Sequence, residues 1–242
     1  TPPSSGALKI VNFGMSVEDN GLDLEAEKSW NKELGIRGEL SILDYEIAGY
    51  HININNLVAA GRGTAFKNLG KVVTQGIEFR ALINLSRMMS LMPNVHISYS
   101  FLDTEVIDGV IISNVSGTYG SEVSIKGKEL PYSPKNTLTV GFESRFINNL
   151  SIRMDYRFVS KVYTDFENII ATDNLGVTGP VPSYNILNIS ANYQFTDRMQ
   201  LFLSGKNITD NIYIGSRLHS NPGQKNANIS SGILPGARRQ IN

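Results

Sequence analysis

Residues 187–214, LNISANYQFTDRMQLFLSGKNITDNIYI, contain the pattern that decides the fold. Apolar residues occupy every second position from Leu187 to Phe195, and Asn, Ser or Gln occupies each position between them. Successive side chains of a β-strand point to opposite faces, so this alternation predicts a strand with one apolar and one polar face. Residues 196–198 form a short turn, and the alternation resumes at Met199.

The same alternation recurs along the chain and predicts eight strands with the start of a ninth at residues 236–242. The other strands are marked by Leu34, Ile36, Leu40 and Ile42; by Ala48, Tyr50, Ile52 and Ile54; by Ile77, Phe79, Ala81, Ile83 and Leu85; by Val95, Ile97, Tyr99 and Phe101; by Leu138, Val140, Phe142 and Phe146, with Ser144 as a polar exception; and by Leu150, Ile152, Met154, Tyr156 and Phe158. Ala26, Trp30 and Leu34 also fit helical spacing, which leaves a short helix as the alternative near the start.

The connections between these strands alternate between short and long. Short turns are predicted at residues 43–44, 87–93, 148–149 and 196–198, and long loops at 59–70, 108–134, 164–183 and 215–235. Strands of about ten residues with short turns at one end and long loops at the other are typical of an all-β transmembrane antiparallel β-barrel. A β-sandwich with one wet face on each sheet is the alternative.

The apolar face of such a barrel contacts lipid, and the polar face lines the lumen. The residues that we expect to face lipid are Ile77, Phe79, Ile83, Leu138, Phe142, Ile152, Met154, Leu187, Ile189 and Leu201. Neighbouring charges on the polar face, such as Glu78 with Arg80 and Glu143 with Arg145, are expected to pair across strands.

Composition excludes several classes of protein. The 22 basic and 22 acidic residues cancel, whereas a nucleic-acid-binding protein normally carries a basic excess. There is no cysteine, so the chain has neither disulfides nor thiolate metal sites. The three histidines show no metal-ligand spacing, and no catalytic cluster or cofactor motif is apparent. We therefore expect no enzyme, no metal site and no cofactor.

Several segments resemble one known family. Residues 24–38 (LEAEKSWNKELGIRG) are similar to the start of the C-terminal barrel part of TonB-dependent outer-membrane receptors. Later motifs of that family are matched in order by GIE at 76–78, LPYSPKN at 130–136, KNITDNIY at 206–213 and LPGARR at 234–239. Among these receptors, the chain most resembles those for ferric dicitrate and siderophores.

The resemblance implies that residues 1–242 are the C-terminal portion of a barrel of about 22 strands plugged by an N-terminal domain. The plug domain and the end of the final strand would then lie outside this chain. Its expected partners are outer-membrane lipid, its own plug domain, and the TonB energy-transducing complex, which it would contact through the missing N-terminal segment. The expected location is the bacterial outer membrane.

The implied function is active uptake of a scarce ligand, which we expect to be a ferric chelate. An anionic chelate requires cationic donors that keep their charge. The candidates in the long loops are Arg62, Lys67, Lys126, Lys128, Arg217 and His219. The alternatives are a passive outer-membrane porin, which shares the alternation, and a β-rich surface adhesin.

Overall fold

The computed structural model describes residues 25–60, 66–113, 118, 120–147, 149–174, 176–217 and 232–242. Its strands are β1 (Lys28–Glu39), β2 (Leu43–Asn55), β3 (Val58–Ala60), β4 (Phe66–Asn68), β5 (Lys71–Ile83), β6 (Asn94–Asp108), β7 (Val110–Ile112), β8 (Glu122–Ser124), β9 (Asn136–Ile147), β10 (Leu150–Val159), β11 (Tyr184–Thr196), β12 (Met199–Lys206), β13 (Ile214–Arg217), β14 (Ile233–Pro235) and β15 (Gln240–Ile241). The start of the described chain is therefore a strand and not the alternative helix. No helix among these residues has the length and apolarity needed to cross a membrane.

Within the described ranges, nine strands form one sheet in the order β1-β2-β5-β6-β9-β10-β11-β12-β15. Every neighbouring pair in this sheet is antiparallel. The other strands pair as hairpins, β3 with β4, β7 with β8 and β13 with β14. The sheet is open, because the two strands at its ends, β1 and β15, do not pair with each other. An open antiparallel sheet is what a portion of a larger barrel would form.

The strand register separates an apolar from a polar face as predicted for every strand except β2. Residues directly opposite each other share a face, and the pairs Phe79 with Tyr99, Phe142 with Met154 and Met154 with Ile189 join apolar residues across neighbouring strands. We call this the outward face. All the residues predicted to face lipid lie on it. The opposite, inward face carries Glu78, Arg80, Glu143 and Arg153.

The face predicted for β2 is wrong over its second half. Ala48 lies opposite Glu78, and Ile52 lies opposite Thr74, so both residues belong to the inward face. Tyr50 and Ile54 lie on the same face. The outward residues are instead Tyr45, Ile47, Gly49 and His51, and Ile47 pairs with both Ile36 and Phe79. Ile54 is apolar for another reason, because it packs against a core formed where the long connections meet β5 and β6.

Two turn predictions need correction. The first turn lies at residues 40–42 and not at 43–44, because Leu40 and Leu43 exchange backbone hydrogen bonds of 2.7 and 3.3 Å. The alternation of Leu40 and Ile42 therefore belongs to a tight turn, and Leu43 begins β2. Leu85 lies beyond β5, in a single 3-10 turn at Leu85–Arg87. The sorting of connections is confirmed, since short turns lie at one end of the sheet and long connections at the other.

The separation of the faces gives a first testable prediction. Replacing Ile189 with arginine places a charge on the outward face, and we expect it to destabilise the full-length protein in lipid by about 2–4 kcal/mol. Denaturant unfolding in lipid vesicles measures this change in the free energy of unfolding. Ser100→Arg is the control, because it places the same charge on the inward face opposite Glu78. Equal effects of the two substitutions would contradict the assignment of the faces.

Candidate functional site

The long connections form a folded layer over the inward side of the sheet. Its core consists of Leu69, Val72, Val106, Ile111 and Ile125, each no more than 5% exposed. Val72 and Val106 are opposite each other in β5 and β6, whereas Ile111 and Ile125 come from the β7–β8 hairpin region. Burial of these side chains holds the β7–β8 hairpin against the sheet at the end where the long connections lie.

Hydrogen bonds join the β6–β9 connection to the β10–β11 connection. The Ser113 hydroxyl donates to the Glu167 carboxylate at 2.9 Å. The Asn168 side chain accepts from the Glu129 amide at 2.7 Å and donates to the Glu129 carbonyl at 2.9 Å. Asn168 has a positive φ of 54°, which asparagine tolerates better than most residues. Two separate connections are therefore fixed to each other.

Arg217, at the end of β13, ties further segments to this layer. Its guanidinium donates to the carbonyls of Gly176, and of Pro180 at 3.1 and 3.3 Å. The Tyr132 hydroxyl donates to the Arg217 carbonyl at 2.9 Å. The residue is only 5% exposed. A buried charge costs free energy unless it is hydrogen-bonded, and these carbonyls supply the bonds. The guanidinium predicted to meet ligand is thus occupied by the protein's own backbone.

The other predicted site residues have different outcomes. Lys126 is exposed and Lys128 half-buried in the segment between β8 and β9. Among the described residues, neither ammonium forms an ion pair within 4.0 Å. Lys67 lies in β4, and its side chain is outside the described part of the structure. Arg62 and His219 lie outside the described residues. Of the three candidates whose side chains the structure describes, Arg217 is buried, and Lys126 and Lys128 lie two residues apart between β8 and β9.

Sequence reasoning missed a lysine with carboxylate partners. The Lys135 ammonium lies 2.9 Å from a Glu129 oxygen and 3.5 Å from an Asp103 oxygen. The hydrogen bond to Glu129 raises the pKa of Lys135, and the charges of Glu129 and Asp103 act in the same direction. Lys135 and Tyr132 both belong to the LPYSPKN motif at 130–136, so the motif marked this region without showing its contacts.

The inward face carries a charge network across three strands. Asp155 of β10 accepts from Arg153 on the same strand at 2.8 and 3.0 Å, and it lies 3.0 Å from His96 of β6. The imidazole reaches across β9 because Gly141 has no side chain, and a Cβ there would lie 1.7 Å from the ring. No group of three or more His, Asp or Glu in the described residues could hold a metal ion.

Two motifs distant in sequence bind each other near the end of the sheet. Asn207 is 2% exposed, and its side-chain amide donates to the backbone carbonyls of Asn211 and Ala237, each at 2.9 Å. Asp210 accepts from the guanidinium of Arg238, with one contact at 2.8 Å, and from the amide of Arg239 at 3.0 Å. The bond from Arg238 lowers the pKa of Asp210, and the Arg239 amide acts in the same direction. The KNITDNIY and LPGARR segments thus fasten the chain between β12 and β15.

An open antiparallel sheet, an apolar outward face, an inward charge network and long connections at one end define a wall of a transmembrane β-barrel. The chain belongs to the TonB-dependent receptor family. The family description "TonB dependent receptor-like, beta-barrel" matches residues 4–208.

Solved structures of receptors and transporters have the same architecture. The unliganded ferric citrate transporter FecA matches with 25% identity and a TM-score of 0.67, over 89% of this chain and 30% of FecA. The ferric-catecholate import receptor Fiu from K12 E. coli, in its closed form, matches with 17% identity and a TM-score of 0.69, over 99% of this chain and 30% of Fiu. The copper transporter OprC matches with 16% identity and a TM-score of 0.65, over 92% of this chain and 31% of OprC. A search of curated proteins found no match. The chain thus spans about 30% of the length of these solved relatives.

The environment of Arg217 gives a second prediction. Arg217→Ala leaves the carbonyls of Gly176 and Pro180 without their buried donor, which we expect to cost about 1–3 kcal/mol of stability. Limited proteolysis should then cut the 160–183 connection faster than in the parent protein. Lys126→Ala is the control, since its exposed side chain forms no ion pair among the described residues. Unchanged proteolysis of the Arg217 variant would show that the tie does not hold the connection.

The contact between Asp210 and Arg238 gives a third prediction. A carboxylate whose folded-state pKa is lowered stabilises the fold above its unfolded pKa, and this stabilisation is lost as the pH falls through the folded pKa. Arg238→Ala should therefore lower the denaturant midpoint at pH 7, and the difference from the parent should shrink below about pH 4. Arg198→Ala, in the turn between β11 and β12, is the control. A difference that did not vary with pH would show that Asp210 ionisation is not its cause.

Proposed function

We propose that the chain is the C-terminal portion of a barrel of about 22 strands in the bacterial outer membrane. The match of residues 4–208 to the receptor barrel family carries this proposal. The sheet supports it, because among the described residues β1 and β15 are edge strands where further strands of a larger barrel would pair. The remaining strands and an N-terminal plug would complete the receptor.

We further propose active uptake of a ferric chelate, powered by the TonB energy-transducing complex acting on the plug. The likeness to FecA at 25% identity supports this ligand class. The inward face also suits a plugged barrel, because the network of His96, Arg153 and Asp155 offers charged partners to a polar domain inside the lumen. A passive porin would need neither the plug nor an energy source.

Uptake of radioactive iron by intact cells tests this function. The cells carry or lack the full-length gene, and ferric citrate is the probe because FecA is the relative with the highest identity among those described. Uptake should require both the gene and the membrane proton gradient. Uptake that persists after the gradient is collapsed would favour the porin. Surface expression without any effect on uptake would favour the adhesin.

Within the proposed ligand site, Lys126 and Lys128 have the positions best suited to direct contact. They lie on the layer of long connections, and neither ammonium pairs with a carboxylate among the described residues. Arg62, Lys67 and His219 stay in the proposed set, although their side chains are not described. Arg217 also stays, but its buried guanidinium would act by holding the Gly176 and Pro180 segment in place.

The fourth prediction concerns ligand affinity. A combined Lys126→Ala and Lys128→Ala variant should bind ferric citrate more weakly by about 1–3 kcal/mol, because an anionic chelate loses charge-assisted hydrogen bonds. Calorimetric titration of the full-length receptor measures the change. Lys28→Ala is the matched control, since Lys28 is an exposed lysine at the same end of the sheet. Equal affinity of all three proteins would remove Lys126 and Lys128 from the site.

A further inference from the structure

The connection between β5 and β6, residues 84–93, differs from the polar turn at 196–198. We call it the methionine turn. Its exposed apolar side chains are Met88 (68%), Met89 (57%), Leu91 (57%) and Met92 (37%). Thr196, Asp197 and Arg198, which join β11 to β12 at the same end of the sheet, are all polar. An apolar patch of this kind on a short turn indicates a contact surface.

The methionine turn lies on the outward side of the sheet. Ser144 of β9 occupies the outward row, opposite Ile152, and is the polar exception in the sequence pattern. Its hydroxyl donates to the Leu91 carbonyl at 3.1 Å, and the residue is only 7% exposed. The turn therefore covers this polar position and continues the apolar outward surface beyond the strands.

Four backbone amides of the methionine turn, those of Arg87, Met88, Met89 and Met92, donate to carbonyls of the same turn. In the 3-10 turn, the backbone amides of Met88 and Met89 donate to the Leu85 carbonyl at 2.9 and 3.2 Å. The Met92 amide donates to the Met89 carbonyl at 2.9 Å. The Asn94 side chain closes the base by accepting from the amide and the hydroxyl of Ser86 at 3.1 and 2.8 Å. Backbone groups that are already paired lose little when they leave water, so the paired part of this turn can approach an apolar phase.

A neighbouring turn enlarges the same surface. The Arg87 guanidinium donates to the Ser41 carbonyl at 2.9 Å, and the Asn84 amide donates to the Ile42 carbonyl at 2.7 Å. These bonds hold the β1–β2 turn beside the methionine turn. Leu40, in that turn, is 60% exposed. Five apolar side chains thus occupy one corner of the sheet at its short-turn end.

We infer that the methionine turn is a membrane anchor that inserts its methionine side chains into the lipid leaflet at the short-turn end. The continuity of this surface with the outward apolar face, across Ser144, makes lipid the occupant. Methionine suits the place because its flexible, unbranched side chain adapts to mobile acyl chains. The anchor fixes the depth of the β5–β6 hairpin in the bilayer. This inference rests on the proposed membrane location of the sheet, and its test separates the two.

Nitroxide labels on the full-length protein in phospholipid vesicles test the anchor. The chain has no cysteine, so Met88→Cys and Met89→Cys each introduce a single label site in it. Collisions with oxygen, which concentrates in lipid, are compared with collisions with a water-soluble nickel chelate. We expect the ratio of oxygen to nickel collisions at both positions to be severalfold higher than at a label on Asp197→Cys. Ile189→Cys, on the outward face, is the lipid-facing control.

The outcomes distinguish the two proposals. A watery label at Ile189 would overturn the membrane location itself. A lipid-exposed label at Ile189 with watery labels at positions 88 and 89 would overturn only the anchor. If labels at positions 88 and 89 collide with neither oxygen nor the nickel chelate, the side chains are in contact with protein. That result would also overturn the anchor. If neither cysteine variant assembles, quenching by brominated phospholipids of the fluorescence added by Met88→Trp decides the question, and the absence of quenching overturns the anchor.

Discussion

The pairing of every strand with an antiparallel neighbour is the constraint on which the rest of this structure depends. Backbone amides and carbonyls that cross a bilayer must be paired with one another, because lipid offers them no partner. Antiparallel pairing meets that need and keeps opposite residues on one face, so a register that joins Phe79 to Tyr99 also joins Arg80 to Ser98 on the other side. The apolar exterior and the polar interior are thus two results of one register, and a slip of one residue would exchange them.

The inward charges depend on that register in a specific way. His96 and Asp155 belong to strands that do not pair with each other, and β9 lies between them. They meet because the register places Gly141 opposite both residues, where no side chain separates them. Gly76 has a similar role, because the Tyr50 ring occupies the space that a side chain at position 76 would fill. Glycine on the inward face therefore lets a large neighbour reach across a strand.

Period-two alternation predicted the strands, and it placed most outward residues correctly because most outward side chains pack only against their cross-strand neighbours. It failed where an apolar residue serves a second purpose. Ile54 is apolar because it packs under the long connections, and Leu40 is apolar in a turn. The role of Arg217 was beyond sequence reasoning, because its partners at Gly176 and Tyr132 are 41 and 85 residues away. Sequence alternation reports local geometry, whereas these contacts exist only after the connections have folded together.

Three of the motifs that resemble those of the receptor family fasten distant segments of the chain to each other. Asn207 and Asp210 of one motif hold Ala237 and Arg238 of another, and Tyr132 of a third holds the backbone of Arg217. These contacts join segments of the barrel wall that are distant in sequence. A side chain that is held in such a contact is not free to bind a ligand as well. Lys126 and Lys128 form no ion pair among the described residues, so their ammonium groups remain available for the ligand contact proposed above.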